Sequence, residues 1–228
     1  LFLSLFRRYW PIFAAYAVIW LLVLPVPLAN FFGSSFLQNR VYFSDLRGLQ
    51  AEVGRIILSA GFYGGMILSG IFGIMLAMAA YNYLYSAKSV SLFCSLPIRR
   101  EGVFLSLSAA AITGMLAINL LIFLISLAVT AIYGQLGLCL GFLAQGLALV
   151  CLLNLFFFGF SALCASFTGH VLVLPLVYTV LNFTVYVVGS LVQQILDIFV
   201  YGLGHRGLLP LLFLSPPAYM LNALSVQS

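Results

Sequence analysis

Charged residues are missing from three long stretches of the chain: Tyr9 to Asn39, Ile56 to Ala87 and Gly102 to Leu196. These gaps run 31, 32 and 95 residues. About 20 apolar residues, at about 1.5 Å of rise each, carry a helix across the hydrocarbon core of a bilayer. The first two gaps hold one span each. The third holds three spans with short turns, because four would leave almost nothing for connections. The spacing predicts an all-α, polytopic membrane helix bundle. Its five spans lie at about 10–32, 56–81, 103–133, 138–167 and 171–192 of a single transmembrane domain over 1–228.

Composition excludes the alternatives. Of 228 residues, nine are Lys or Arg and four are Asp or Glu, so 6% are charged, against about 25% in a soluble domain. Mean hydropathy is +1.22. Thirteen charges cannot cover a folded domain of this length in water, and so apolar a chain does not stay disordered.

The N-terminal run after Arg7 and Arg8 exceeds 20 residues without a clean small-residue cleavage site before Asn30. It reads as a retained signal-anchor span. The chain starts at Leu1, which is the expectation for a fragment. Tyr9 and Trp10 fall where an interfacial aromatic belt lies, and Pro25 and Pro27 are expected to kink or stop the first span. Leu46, Leu49, Val53 and Ile56 recur at helical spacing after Ser44 and Asp45, predicting a short interfacial helix that leads into the second span. The fifth span is rich in β-branched residues, but a strand of its length is implausible.

Within the second span, Gly61, Gly65, Ser69, Gly73 and Ala77 recur at steps of four. Small residues at that spacing form one face on which another helix can approach closely. The polar residues of the later spans are Asn119, Gln145, Asn154 and Asn182. They read as interhelical hydrogen-bonding groups or, more sharply, as the polar lining of a substrate path. Cys94, Cys139, Cys151 and Cys164 form no C-x-x-C pair and lie at no ligand spacing from a histidine. All four are expected to be unpaired, with no metal site.

Several chemistries are excluded. The two histidines, His170 and His205, make no H-E-x-x-H. Neither Asp45 nor Asp197 falls inside a span, so no intramembrane carboxylate pair can share a proton. His170 falls at a turn, and no G-x-S-x-G occurs. No span carries an ionisable carboxylate or cation, which argues against ion-coupled transport. The only lysine, Lys88, is outside any G-x-x-x-x-G-K-[ST] motif, so any energy from ATP would come from a partner.

The segment 82–102 concentrates Lys88, Arg99 and Arg100 with serines and tyrosines. With the N-terminus inside, the inner side holds five basic residues and the outer side four, which places 82–102 inside and 193–228 outside. Val90, Phe93, Leu96 and Ile98 give this loop an apolar ridge, and Pro97 would end a short helix. Such a helix fits a groove on a soluble partner. The simpler reading is that the arginines snorkel to anionic lipid and set topology.

The run YNYLYSAKSVSLFCSLPIRREG at 81–102 resembles the first cytoplasmic loop of type-2 ABC transporter permeases of Gram-positive bacteria. Ser86, Lys88, Ser89, Ser95, Leu96, Pro97, Ile98, Arg99 and Arg100 carry the resemblance. Phe6 to Phe13 looks like that family's interfacial N-terminal helix, and Leu214 to Leu224 is similar to its outer segment before a sixth span. The resemblance is specific over 86–101 and loose elsewhere. It implies a permease subunit of an ATP-driven exporter in the bacterial plasma membrane, with a cytoplasmic N-terminus and a sixth span beyond Ser228. Ser86, Lys88, Phe93, Leu96, Pro97, Ile98, Arg99, Arg100 and Glu101 would dock an ABC ATPase subunit, beside a second permease copy or homologue. The chain itself would hold no cofactor and no catalytic residue, ATP and Mg belonging to the partner ATPase. Uncharged spans suit an amphiphilic or apolar cargo. A non-transporting membrane scaffold or assembly protein, or an ATP-independent transporter, are the rival expectations.

Overall fold

The computed structural model describes residues 2–35, 46–82, 100–134, 136–168 and 170–199. Among them there is no strand. Helix α1 is Phe2–Val23 and α2 is Pro25–Asn30, followed by a π-helical turn at Phe31–Ser35. Helix α3 is Leu46–Ser59 and α4 is Gly65–Tyr81, joined by a second π-helical turn at Ala60–Gly64. Helices α5 (Arg100–Ile132), α6 (Leu136–Phe167) and α7 (Val173–Phe199) follow among the described residues.

Four stretches of the described chain are long and apolar enough to cross a membrane: Tyr9–Gly33, Gln50–Tyr81, Gly102–Ile132 and Cys139–Phe167. Helix α7 has 27 residues, with Val173–Thr184 as a shorter apolar stretch. The chain is a multi-pass, all-helical membrane bundle.

Prolines shape the first span. Pro11 has no N–H for the Arg7 carbonyl, and Tyr9 leaves helical geometry at φ −112°, ψ 19°. The segment from Phe2 to Arg8 therefore departs from the axis of the span. Pro25 occupies the first position of α2 after Leu24 bends the chain at φ −114°, ψ −64°. Proline is tolerated there because that N–H needs no intrahelical acceptor. The prolines kink this span rather than stop it.

The helix expected before the second span exists, but it is no separate interfacial piece. Leu46 to Tyr81 is helical throughout, passing through the π turn, and Val53 and Ile57 are fully buried against Leu28, Phe32 and Leu143. At the other end of the bundle α5 stops at Ile132. Gly134 takes φ +69° there and its N–H donates to the Ala131 carbonyl at 3.0 Å. This left-handed position is one that glycine adopts without steric cost. Helix α7 continues past the expected 171–192 to Phe199, taking in Asp197.

Helix α6 is the centre of the bundle, packed on α3, α4, α5 and α7. Its tightest neighbour is α4. A Cβ at Gly61 would lie 3.6 Å from Gly146 Cα, and one at Gly73 would lie 3.3 Å from the Phe157 carbonyl carbon. Gly65 meets Val150 and Leu153, and Ser69 and Ala77 are fully buried. The period-four small residues are therefore where the two backbones come closest. Ser161 Oγ donates across this seam to the Gly73 carbonyl at 3.1 Å. Helix α7 packs on α4 and α6 and exposes Leu176, Val180, Val188 and Leu191. In a bilayer such a face meets acyl chains.

Candidate functional site

Tyr16 lies in the first third of the first span, where no charged residue and few polar ones accompany it. Burying its hydroxyl in hydrocarbon costs free energy unless the hydroxyl is bonded. Its Oη donates to Asn119 Oδ1 of α5 at 2.9 Å and accepts from Asn154 Nδ2 of α6 at 2.8 Å. All three side chains are buried. Phe72 of α4 packs edge-on against the Tyr16 ring at a centroid distance of 5.1 Å. One phenol thus joins three helices by hydrogen bonds and a fourth by ring contact. Asn119 Nδ2 also reaches Cys151 Sγ, at 4.0 Å.

A small apolar crevice of about 30 Å³ opens beside this cluster. Trp20, Ile57, Phe123, Leu143 and Val150 form much of its wall, and Asn119 contributes its polar atoms. Gly61 and Gly146 also line it. Trp20 is 2% exposed, and its Nε1 has no partner in hydrogen-bonding geometry.

The four polar residues expected along a path separate into three environments. Asn119 and Asn154 meet through Tyr16. Asn182 is buried on α7 and its Nδ2 donates to the Tyr178 carbonyl of its own helix at 3.0 Å. Gln145 lies on the exposed side of α6. They do not form one continuous lining. Tyr16 and Trp20, spaced four apart on one face of the first span, are the residues that sequence reasoning missed. Their signal was a tyrosine and a tryptophan deep inside a charge gap.

Of the expected docking segment, Ser86, Lys88, Phe93, Leu96, Pro97, Ile98 and Arg99 lie outside the described residues, as do Cys94 and the stretch 200–228. Arg100 and Glu101 are the first residues of α5. The helices flanking this segment are clamped together. The Tyr81 ring stacks on Phe104 at 4.8 Å and 16°, and the Tyr81 and Ser108 hydroxyls are 2.6 Å apart. Cys139, Cys151 and Cys164 are free thiols. His170 is exposed in the turn before α7, where its Nδ1 accepts from the Leu172 N–H at 3.2 Å. No group of three potential metal ligands occurs among the described residues.

No protein-family model, curated protein or solved structure matches this chain.

Proposed function

We propose that the chain is the membrane-spanning permease subunit of an ATP-driven exporter and engages a separate ATPase through residues 86–101. The resemblance of that segment to the coupling loop of type-2 ABC permeases is the starting point. One structural observation supports it: Tyr81 holds the C-terminal end of α4 against the N-terminal turns of α5. A force on the segment between them would act on both helices together. Helix α5 has 33 residues, about 50 Å at 1.5 Å each, which exceeds the bilayer core. Displacing it would strain the Tyr16–Asn119 bond and favour a second arrangement of the bundle. A bacterial plasma membrane and a cytoplasmic N-terminus complete the reading.

The test is charge reversal at the docking segment. Arg99→Glu with Arg100→Glu leaves membrane insertion intact and abolishes co-purification of a P-loop ATPase in mild detergent. An ATPase retained by the double variant removes the docking role. Purification of the unaltered chain without any ATPase would favour a membrane scaffold.

A further inference from the structure

We infer that the exposed face of α6 at Gly141, Gln145 and Ala148 is the surface on which a second copy of this chain pairs. The inference does not depend on ATPase docking, since a scaffold with the same α6 would pair in the same way. Gln145 lies eight residues from the middle of the stretch Cys139–Phe167. That is about 12 Å at 1.5 Å each, within the ~15 Å half-thickness of the hydrocarbon core. Its side chain is exposed and makes no hydrogen bond among the described residues. Lipid tails offer an amide neither donor nor acceptor, and leaving it unpaired costs free energy. Asn119, Asn154 and Asn182, by contrast, are buried and bonded within the bundle.

The residues around Gln145 leave room for a neighbour. Gly137, Gly141 and Ala148 are exposed and lie eight, four and three positions from it, on the same side of the helix. A Cβ at Gly137 or Gly141 would meet nothing within 4 Å, whereas one at Gly61, Gly65 or Gly73 would meet α6. The small residues of α4 are thus accounted for inside the bundle, and those of α6 are not. Small residues let two helices come close enough for a side-chain amide to bridge them. The occupant follows from the chemistry. A carboxamide is both donor and acceptor, so two glutamines can satisfy each other. Two copies inserted with the same topology carry Gln145 at the same depth. A two-fold axis along the membrane normal then brings this face onto itself.

The test is cross-linking in native membranes. The full chain, with its four native cysteines changed to alanine, carries Ala148→Cys and is oxidised with copper phenanthroline. A covalent dimer should form, and it should persist after the membranes are diluted by fusion with excess phosphatidylcholine vesicles. Adding Gln145→Leu should weaken association about tenfold, read from dimer yield against chain density in the membrane. Gln145→Asn, which keeps the amide, should weaken it less. Gly141→Leu, which adds bulk to the same face, should abolish the dimer. Leu181→Cys, exposed on α7, should remain monomeric. Unfolding in detergent micelles confirms that each variant keeps the monomer fold. The inference is overturned if Ala148→Cys gives no dimer, if the dimer vanishes on lipid dilution, or if a different protein is cross-linked instead. A yield indifferent to Gln145→Leu overturns it as well. Loss of the ATPase in the Arg99 and Arg100 variant bears on the permease reading alone and should leave this pairing unchanged.

Discussion

Tyr16 donates its hydroxyl proton to Asn119 Oδ1 across 103 residues of sequence, at 2.9 Å. The Tyr16 hydroxyl oxygen in turn accepts from Asn154 Nδ2 at 2.8 Å, so the phenol closes a polar junction among α1, α5 and α6. Lipid tails are as apolar as leucine, so burial alone does not hold membrane helices together. Packing and bonds of this kind do. The junction gives the bundle a fixed register where its helices are otherwise uniformly greasy.

Tyr16→Phe therefore destabilises the bundle by about 1 kcal/mol, measured by unfolding in mixed detergent micelles. In a double-mutant cycle with Asn154→Leu, the coupling should be about 0.6–1.7 kcal/mol. Strict additivity of the two changes would mean that the junction does not act as a unit.

Two glycines test the seam between α4 and α6. A Cβ at Gly73 would press within 3.3 Å of the Phe157 backbone, which must then give by a few tenths of an ångström, whereas one at Gly159 meets nothing within 4 Å. Gly73→Ala should cost about 1–3 kcal/mol, and Gly159→Ala should lie within about 0.5 kcal/mol of the parent. Equal effects in the same micelle assay would place the close approach elsewhere.

Neighbouring phenylalanines on α6 should behave oppositely. Phe157 is 1% exposed and Phe156 is 47% exposed. Phe157→Ala removes packing from the α4–α6 seam and should cost about 2–3 kcal/mol. Phe156→Ala removes contact with the surrounding hydrocarbon and should cost less than about 0.5 kcal/mol. The difference is read from the two unfolding curves in one detergent mixture.

At the end of the bundle flanking residues 83–99, Tyr81→Phe keeps the stack on Phe104 but loses the 2.6 Å bond to Ser108. A loss of about 1 kcal/mol is expected. Tyr81→Ala removes both and should cost at least twice as much. If both variants lose the same amount, the ring stack contributes nothing to the clamp.

The sequence by itself determined that the chain is a helical membrane bundle. Bare backbone cannot sit in hydrocarbon unsatisfied, so gaps in charge of 31, 32 and 95 residues dictate helices and nearly dictate their ends. The step of four from Gly61 to Ala77 also marked the close-packed side of α4, because glycine leaves its signature in the residue type itself. The polar site was different. Asn119, Gln145, Asn154 and Asn182 looked equivalent, since these spans are apolar all round and no amphipathic stripe says which side faces inward. Only the tertiary structure decided that Tyr16 joins Asn119 to Asn154 while Gln145 remains on the outer surface. That outcome depends on how each helix is rotated about its axis. Rotation is set by contacts with residues more than a hundred positions away, which no local pattern encodes.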